Sequence, residues 1–582
     1  MTRGDLPLKR LLGYAKPYFW FFVLAILVVL VAAVIDLLPP QIVRRAIDGY
    51  MNNSAIGVQD RIAGVSKMAF ALVGVVGLQF LLGYLSTYLT SFLGNKIVYD
   101  IRSELYKKVL DLPMSFFDKN PSGRINTRIV NDTQNVQEFF STVITAIVKD
   151  FFLLAGVIYF MLQISTRLFS NVSFIFPIIV GAMVLFRYFD LKVYREVRTN
   201  LARVNAYLAE HISGIGVIKL FMAEDYKSKE FDSVNRDLYR SLINQLYVFG
   251  IFRPFIDLIH YFALSAIIWF GSKYIIGGAI HFGELYAFVA YVDTFMRPLG
   301  DISEKYDIVQ NTVASCDKIF ALMDEEPEKL GNSSEDGKIV EGNLKFDGVW
   351  FSYDSQRWVL KDINVSFKPG ELTAIVGETG AGKTSLMNLI NGLYAPQKGK
   401  ILIDDRDIFE YDLRKIRKQI AAVPQDVILF SGSILDNVRL FHEEYTEAQV
   451  VESLKKVYAY DIINKLSESI YTKIIERGST LSAGERQLIA LARAVLFNAK
   501  ILILDEATSN IDVETESRIE LAVRELSKER TVIMIAHRLS TVKGADRIVV
   551  IHDGRVAEEG QHSELLSRRG VYYKLYQIQF AS

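Results

Sequence analysis

A chain of 582 residues is too long for a single hydrophobic core, so we expect two or more domains. Acidic and basic residues balance at 66 each, which gives no sign of a nucleic-acid partner, and the single cysteine excludes both an intrachain disulfide framework and a cysteine-cluster metal site. Hydrophobic residues make up 51% of the chain although 23% are charged, so the apolar residues must be segregated into a region of their own.

The N-terminal half predicts a helical membrane domain. Its first uncharged run, Tyr18–Ile35, is long enough to cross a bilayer and lacks the cleavage pattern of a signal peptide. The sixth run is the weakest because it contains Asp293 and Arg297. After an N-terminal helix over 1–16, the transmembrane domain is expected over 17–320, with six spans near 17–38, 66–95, 137–165, 168–190, 249–275 and 284–305.

Basic residues concentrate on one side of these predicted spans. Lys and Arg are frequent before the first span, between the second and third, and between the fourth and fifth. The segments on the other side contain fewer of them. The positive-inside rule therefore predicts that both termini and the two long segments lie in the cytoplasm, in a multi-pass protein of the inner or plasma membrane.

The two long segments between spans are predicted to be helical. Residues 101–112 and 190–208 alternate charged and apolar side chains at helical spacing, which indicates spans that continue beyond the bilayer. Each segment has a break, at 113–123 and at 213–216, where a short exposed helix could dock onto another domain. An ordinary solvated helical hairpin is the alternative interpretation.

Several ionisable residues lie within the predicted apolar spans. Such residues usually face the interior of a helix bundle and can mark a substrate pathway. Asp257 and His260 are three positions apart and therefore share one helix face. The alternatives are that these residues pair with one another or lie near the ends of the spans. The residues concerned are Lys149, Asp150, Asp257, His260 and Asp293.

A change in composition marks the start of the second half. A charged linker with Pro, Gly and Ser is expected over 321–341, followed by a domain over 342–582. Strand-like runs alternate there with helical runs, which predicts an α/β fold with a covered sheet and a binding site at strand ends. The predicted strands are 345–353, 372–376, 401–403, 420–423, 501–504, 531–536 and 547–551.

A glycine-rich stretch, GETGAGKT over Gly377–Thr384, follows one of these strands and precedes a helical run. In this context GxxxxGK[ST] binds phosphates, because glycines let backbone N–H groups and the helix N-terminus approach the anion. Lys383 is expected to reach the β- and γ-phosphates of ATP, and Thr384 to ligate Mg²⁺. The expected nucleotide contacts are Gly377, Glu378, Thr379, Gly380, Ala381, Gly382, Lys383, Thr384 and Ser385.

Polar residues at other predicted strands extend this site. Asp505 and Glu506 end an apolar strand, where Asp505 is expected to hold Mg²⁺ and Glu506 to polarise the attacking water. Gln425 can contact Mg²⁺ or water, and His537 the γ-phosphate, although a lone histidine is more often structural. Tyr353 precedes the phosphate loop and can stack on adenine, although a lone tyrosine more often packs in a core.

The stretch LSAGERQ, Leu481–Gln487, precedes a predicted helix over 487–496 and offers a second phosphate-binding helix end. Together with the phosphate loop, its order and spacing resemble the ATP-binding cassette (ABC) proteins. Six spans ahead of one cassette resemble the exporter half-transporters of the multidrug and lipid flippase group, over nearly the whole chain. The resemblance implies an all-α six-helix transmembrane domain with long cytoplasmic helical extensions, followed by an α/β P-loop NTPase cassette domain.

In that family two cassettes pair head to tail, so that each ATP lies between the phosphate loop of one subunit and the signature stretch of the other. The resemblance therefore implies that Ser482, Gly484 and Glu485 bind the ATP held by a second subunit. Ala483 and Glu485 stand where the family more often has Gly and Gln. Neither difference removes a catalytic group.

The resemblance also implies the catalytic roles. Glu506 would be the catalytic base, His537 the switch histidine and Gln425 the glutamine of the lid loop. Tyr353 would be the adenine platform. The residues implied to hold Mg²⁺ are Thr384, Gln425 and Asp505.

Further loops are implied by the same resemblance. Residues 509–512 would cross between the two ATP sites, with Asn-Ile at 510–511 in place of the common Ala-Leu. Residues 476–478 resemble a short exporter loop that senses the coupling helices of the membrane domain. Those helices would lie near 113–123 and 213–223.

The implied function is an ATPase that exports or flips a hydrophobic or amphipathic substrate (drug, lipid or peptide-like) by alternating access. The implied partners are a second half-transporter, identical or different, and membrane lipids, with no nucleic acid. An ATP-gated channel or regulator that hydrolyses ATP without uphill transport is the alternative. An importer is disfavoured by the order of spans and cassette and by the long cytoplasmic helices.

Overall fold

The structure, a computed structural model, describes residues 7–53, 56–331, 338–354, 356–475, 478, 480–505, 512–536 and 539–580. The chain forms two compact units. Unit 1 comprises residues 1–110 and 122–325, and unit 2 comprises residues 111–121 and 326–582. The short segment 111–121 thus belongs to the same unit as the C-terminal half, although the chain on either side of it belongs to unit 1.

Every regular element in the described part of unit 1 is helical. This suits its long apolar runs, because a helix satisfies all of its backbone polar groups internally in a bilayer. In chain order the helices are α1 (Pro7–Ala15), α2 (Phe19–Asp36), α3 (Leu38–Ala46), α4 (Val58–Leu110), α5 (Met114–Lys119, in unit 2), α6 (Ser122–Thr127), α7 (Thr133–Glu138), α8 (Ile144–Ile164), α9 (Thr166–Val172), α10 (Ile175–Ser213), α11 (Ile215–Leu220), α12 (Glu224–Ile276) and α13 (Phe282–Met323).

Five helical stretches in the described residues are long and apolar enough to cross a membrane. They overlap the first five predicted spans. The sixth predicted span lies in α13, which is a continuous helix but is not among the five. Its apolar run contains Asp293 and Arg297. The five stretches are Pro7–Met51, Val58–Leu110, Ser122–Ile164, Thr166–Ser213 and Glu224–Ile276.

The predicted helical extensions are confirmed. Helix α4 has 53 residues, which at 1.5 Å per residue gives about 80 Å, well beyond a hydrocarbon core of about 30 Å. Helix α12 also has 53 residues, and α10 has 39. Short helices stand at both predicted breaks, namely α5 and α6 at the first and α11 at the second.

Ionisable residues in the apolar part of unit 1 form pairs between helices. A buried or half-buried charge is stabilised by a partner of opposite sign, because desolvation otherwise disfavours it. Lys149 and Asp150 have such a partner, His260 and Asp293 contact each other, and Asp257 has no ion pair with a described side chain. The pairs are Lys149–Asp36 at 2.9 Å, Lys305–Asp150 at 2.5 Å and His260–Asp293 at 3.1 Å.

Unit 2 contains the predicted α/β fold, with a six-stranded sheet in the order β12-β11-β3-β10-β9-β6 and a four-stranded sheet in the order β2-β1-β4-β5. Neighbours from β11 to β6 are parallel, and β12 is antiparallel. The strands are β1 (Leu344–Phe351), β2 (Leu360–Phe367), β3 (Leu372–Gly377), β4 (Lys398–Ile403), β5 (Arg406–Asp407), β6 (Ile420–Val423), β7 (Gly432–Ser433), β8 (Lys473–Ile474), β9 (Ile501–Asp505), β10 (Thr531–Ile535), β11 (Arg547–His552) and β12 (Arg555–Gly560).

Helices cover the six-stranded sheet, whose central strands are buried on both faces and therefore read as continuous apolar runs. The helix after the signature stretch begins earlier than predicted, at Ala483 rather than Gln487, because Ser482 caps it. The helices are α14 (Lys383–Ile390), α15 (Leu413–Arg417), α16 (Ile434–Arg439), α17 (Glu447–Lys456), α18 (Tyr460–Ile463), α19 (Ala483–Leu496), α20 (Val513–Ser527), α21 (Leu539–Gly544), α22 (His562–Arg568) and α23 (Val571–Phe580).

Candidate functional site

The carboxyl ends of four parallel strands meet at one edge of the six-stranded sheet. Ile535 of β10 lies opposite Ile375 of β3 on one side and Asp505 of β9 on the other. Val423 of β6 lies opposite Leu504, the residue before Asp505. The loops that follow β3, β6, β9 and β10 therefore start side by side, which is where open α/β sheets bind ligands.

The loop after β3 has the backbone of a phosphate cradle. Gly380 and Gly382 have φ angles of +84° and +106°, in the left-handed region that favours glycine. A Cβ at Gly382 would lie 2.6 Å from Leu360 Cδ2, and one at Gly377 would lie 2.3 Å from the Ile551 carbonyl oxygen. Close approach to the backbone of β11 therefore requires glycine at position 377, and the left-handed φ favours it at position 382.

Helix α14 begins immediately after this loop with Gly382 as its N-cap, and no side chain caps its first turn. The first backbone N–H groups of a helix have no partner within the helix. Together with the helix dipole, they form an anion-binding end directed at the glycine loop. The exposed Thr384 hydroxyl lies in this first turn.

Lys383 is held inside the loop. Its side chain is buried, and its Nζ donates to the carbonyl oxygens of Gly377 at 2.7 Å and Glu378 at 2.9 Å. Burial lowers the pKa of Lys383, whereas the negative charge of Asp505 acts in the opposite direction. Burial deprives the ammonium group of hydration, and the negative charge of a bound phosphate would stabilise its charged form.

Tyr353 lies beside the same helix. Its hydroxyl donates to Ser385 Oγ at 3.1 Å and accepts from Asn388 Nδ2 at 3.2 Å. Its ring packs edge-on against Phe351 and Tyr394, yet 42% of the side chain remains exposed. A tyrosine whose hydroxyl is held in place and whose ring is partly exposed can stack on a base. The role of Tyr353 as the adenine platform remains a prediction, and this geometry is compatible with it.

The residues predicted to hold Mg²⁺ lie at this edge and fit that ion. Mg²⁺ in nucleotide sites takes one or two protein carboxylates or hydroxyls, and phosphates and water complete its octahedron. Asp505 ends β9, Thr384 is the second residue of α14, and the exposed Gln425 follows β6 by two residues. The described residues contain no cluster of three or more His, Cys, Asp or Glu, so an all-protein metal cage is not formed by that part of the chain.

The signature stretch opens α19 with a reciprocal cap. Ser482 Oγ accepts from the Glu485 backbone N–H at 3.2 Å, and the Glu485 carboxylate accepts from the Ser482 backbone N–H at 2.7 Å. Glu485, unusual for the family, therefore stabilises the helix start. No described hydrogen bond or ion pair joins Ser482, Gly484 or Glu485 to the phosphate loop of the same chain.

Several predicted residues lie outside the described part of the chain. These include the catalytic base and the switch histidine, together with most of the loop over 509–512 and the loop over 476–478 apart from Gly478. Their roles remain predictions. The residues concerned are Glu506, His537, 509–511 and 476–477.

Sequence reasoning missed a clamp on the loop that carries Gln425. Buried Asn437, on α16, accepts from the Phe430 N–H through Oδ1 and donates to the Phe430 carbonyl through Nδ2, both at 2.8 Å. Arg493 on α19 donates to the Asn437 carbonyl at 2.8 Å and to the Ile428 carbonyl at 3.3 Å. The loop after β6 is thus tied to the helix that begins with the signature stretch. The only signal in the sequence was the Ser-x-x-Asp capping box at 433–436.

Because Arg493 holds this loop, we expect the Arg493→Lys variant to hydrolyse ATP more slowly than wild type. Burial lowers the pKa of Arg493 to about 10, so it remains charged at neutral pH. Lysine lacks the planar fork of donors, and leaving buried acceptors unpaired costs about 1–3 kcal/mol. We expect kcat for ATP hydrolysis to fall by about tenfold, or 1.4 kcal/mol, with a smaller change in KM, because Gln425 loses its position while the phosphate cradle keeps its own.

Steady-state ATPase kinetics of the purified full chain in lipid nanodiscs measure this effect. Arg524→Lys is the matched control, since Arg524 is exposed on α20 and does not contact the clamp. Equal kcat values for the two variants would show that Arg493 does not position the loop.

Family comparisons agree with this geometry. Residues 22–299 match the family described as ABC transporter transmembrane region, and residues 360–509 match the family described as ABC transporter. An uncharacterized ABC transporter ATP-binding protein of Bacillus subtilis is 35% identical, over 98% of this chain and 94% of its own. An ATP-dependent lipid A-core flippase of Syntrophus aciditrophicus is 33% identical, over 98% of this chain and 94% of its own.

The fold of the whole chain also has a solved counterpart. A structure of a bacterial Atm1-family ABC exporter with ATP bound superposes with a TM-score of 0.78 and 25% sequence identity. The similarity covers 97% of this chain and 98% of that one. Both the helical unit and the sheet-containing unit are therefore shared.

Proposed function

The chain belongs to the ABC transporter family, and we propose that it is half of an exporter that moves a hydrophobic or amphipathic substrate across the membrane by alternating access. As a member of this family it is a membrane protein that binds ATP and couples its hydrolysis to transport. The proposal rests on the phosphate cradle at the sheet edge, in a chain that also has five apolar helical stretches long enough to span a bilayer.

A shared ATP site is the first step of the proposed mechanism. Unit 2 has two helix ends suited to phosphate, at α14 and at α19. The residues of the second end, Ser482 and Gly484, have no described hydrogen bond or ion pair with the phosphate loop of their own chain. They would therefore meet the γ-phosphate held by a second subunit, so that ATP joins two cassettes.

The shared site explains why ATP binding would close the two cassettes onto each other. ATP meets donors from both cassettes only in the closed pair, and a ligand that binds one conformation better shifts the population toward it. Loss of the γ-phosphate on hydrolysis removes the link and returns the pair to the open state. Repeated closure and opening alternate the access of the membrane domain.

The roles within the site are proposals of the same kind. Glu506 polarises the attacking water and His537 contacts the γ-phosphate. Gln425, carried on the clamped loop, responds to the nucleotide. Asp505 and Thr384 hold Mg²⁺, which when bound supplies positive charge to the phosphate oxygens.

Two helical segments are suited to transmit closure to the membrane domain. Within unit 2, the segment with α5 contacts the cassette, since the Tyr394 hydroxyl donates to Asp118 at 2.5 Å. In unit 1, the end of α11 and the residues after it carry large apolar side chains in contact with solvent, with Leu220 81% and Met222 87% exposed. Exposed apolar groups of this size mark an interaction surface, and the cassette of the second subunit is the partner we assign to it.

The orientation is inferred from charge. Basic residues concentrate on the segments that carry α5 and α11, which predicts that they lie in the cytoplasm together with both termini. ATP is available on that side. Membrane lipids surround the apolar helices, and the second subunit is either an identical chain or a related one.

Transport assays in liposomes test the function. With the cassettes facing outward, we expect ATP to drive a fluorescent amphipathic probe into the lumen above its external concentration, because closure is coupled to a change in access. ATP-dependent entry that stops at equal concentrations would instead support an ATP-gated channel. A non-hydrolysable ATP analogue is the control, and it should permit no accumulation by a pump. The mass of the purified complex distinguishes a pair of identical chains from a pair of different ones.

A further inference from the structure

The linker ahead of the cassette carries a carboxylate that forms a two-point ion pair within unit 2. Glu328 accepts from both terminal nitrogens of Arg417, with Oε2 3.0 Å from Nη1 and Oε1 2.6 Å from Nη2. The two side chains are only 20% and 26% exposed. A guanidinium bound to both oxygens of a carboxylate is held in one orientation. The pair therefore fixes the linker relative to Arg417, the last residue of α15.

The same guanidinium binds the end of the helix that follows the phosphate loop. Arg417 Nε donates to the Asn391 carbonyl at 3.1 Å, and Nη2 donates to the Gly392 carbonyl at 2.8 Å. These two residues directly follow α14, whose first turn is the anion-binding end at the nucleotide site. Carbonyl groups at a helix C-terminus lack partners within the helix, and a cation satisfies them. Arg417 also lies three residues before β6, the strand that leads to Gln425.

The backbone of Glu328 contacts the segment over 111–121. Its N–H donates to the Asp111 carbonyl at 2.7 Å. Asp111 is the first residue of this segment, which belongs to unit 2 and contains α5. A displacement of the segment would therefore reach Arg417 through one residue of the linker.

Other contacts already attach the linker to the cassette. The Leu413 N–H donates to the Leu330 carbonyl at 3.0 Å, and the Leu330 side chain packs against the apolar core of unit 2. The backbone at Gly331 passes so close to Tyr411 that a Cβ there would overlap the Tyr411 carbonyl oxygen. Since attachment does not depend on the charge of Glu328, the main effect of that charge is to orient Arg417.

We propose that Glu328 is a positioning residue of the ATPase cycle, which together with Arg417 transmits the position of segment 111–121 to the helix of the phosphate loop. The linker then takes part in the coupling between ATP and transport instead of only joining two domains. The inference rests on the coupled export function proposed above and names a residue that carries the coupling. It requires the negative charge of Glu328, because a neutral amide has one acceptor oxygen and cannot bind both terminal nitrogens of the guanidinium.

Hydrogen exchange of the full chain in lipid nanodiscs tests this inference. Exchange in segment 111–121 is compared with and without the non-hydrolysable analogue adenylyl imidodiphosphate. We expect the analogue to slow exchange there in the wild-type chain, and this effect should be at least about fivefold smaller in Glu328→Gln. The KM for ATP should stay within about twofold of wild type, because the phosphate cradle is unchanged. The thermal unfolding midpoint should also be retained, whereas a purely structural role would lower it and leave the effect of the analogue intact.

A second variant removes the other half of the pair. In Arg417→Lys a single ammonium group replaces the planar fork, so it cannot bind the carboxylate and both carbonyls in the same geometry. We expect the same loss of the nucleotide effect on segment 111–121 as in Glu328→Gln.

Glu371→Gln is the matched control. Glu371 pairs with Arg547 at 2.6 Å, and both side chains are 20% exposed, so the charge, distance and burial resemble those of the Glu328 pair. No described hydrogen bond joins Glu371 to the linker or to α14. This variant should keep the wild-type effect of the analogue.

Three results would overturn the inference. They are an unchanged nucleotide effect in Glu328→Gln, an equal loss in Glu371→Gln, and no nucleotide effect on segment 111–121 in the wild-type chain. Failure of the export function is seen separately, in the liposome assay of the wild-type chain. A nucleotide effect that depends on Glu328, in a chain that accumulates no probe, would support the positioning role and count against export.

Discussion

Replacement of Glu506 by Gln is expected to slow ATP hydrolysis by about 10²- to 10⁴-fold while ATP binding is retained. In the sequence Glu506 follows Asp505, and Asp505 is the last residue of β9 at the sheet edge where the phosphate loop begins. Gln keeps the size of the side chain but cannot accept a proton from the attacking water. Because hydrolysis opens the cassette pair in the proposed cycle, the variant should also accumulate in the ATP-bound closed form.

Three measurements separate these effects. Phosphate release gives the turnover, equilibrium binding of labelled ATP gives the affinity, and the distance between labels on two cassettes reports closure. Glu520→Gln, at an exposed position of α20, controls for the loss of a carboxylate outside the predicted site. Turnover of Glu506→Gln at the wild-type rate would refute its assignment as the catalytic base.

Replacement of Lys383 by Met is expected to weaken ATP binding by about 100-fold. Nζ of Lys383 already bonds to the carbonyl oxygens of Gly377 and Glu378 inside the loop, so it needs little rearrangement to meet a phosphate. A hydrogen bond to a charged group contributes about 1.5–3 kcal/mol, and two such bonds at the lower value correspond to a loss of about 100-fold. Met fills the buried space of the lysine stem without its charge.

Titration of the full chain with a fluorescent ATP analogue measures the affinity. Lys368→Ala is the control, because Lys368 is an exposed lysine just before the same strand, at the end away from the phosphate loop. The thermal unfolding midpoint of each variant shows whether the fold is retained. A folded Lys383→Met variant that binds ATP as tightly as wild type would remove Lys383 from the phosphate site.

Most of the sheet was predictable because its strands are strongly apolar. The runs Leu372–Val376 and Ile501–Leu504 are continuous and buried on both faces, a pattern that the sequence displays directly. Strand β2 was missed although its apolar residues partly alternate. Asp362, with φ of +55°, lies where the pairing of β1 with β2 shifts register, and this irregularity interrupts the period of two. Strand β12, RVAEEG, was missed because it is a partly buried edge strand with few apolar residues and no apolar alternation.

The cradle was predictable for a different reason. Phosphate binding needs a backbone with positive φ, which favours glycine at 380 and 382, and it needs the positive charge of Lys383. All three residues lie in one short stretch of the sequence, where the motif is easily recognised. The clamp between Asn437 and Arg493 was not predictable, because its bonds join backbone carbonyls to side chains from separate helices. Asn and Arg at such positions look like ordinary helical residues in a sequence.

The membrane half illustrates the same distinction. Lys149, Asp150, His260 and Asp293 were recognised as ionisable residues in apolar runs, but their partners were not identified. Lys149 pairs with Asp36 on α2, and Asp150 with a lysine on α13. Helical periodicity gives the face of one helix, whereas pairing depends on how two helices pack. The pairing of His260 with Asp293 likewise became evident only from the packing of α12 against α13.

The order of residues alone determined the family, the helical and α/β halves, the phosphate loop and the ionisable groups in the apolar runs, because each of these follows from local pattern or from residues close together in the chain. Only the tertiary structure decided which groups pair with the ionisable residues of the apolar runs, which loop is held to the signature helix and which aromatic ring stays exposed beside α14. Those properties depend on distances between segments far apart in the chain, and such distances are set by the packing of helices and strands rather than by any local sequence.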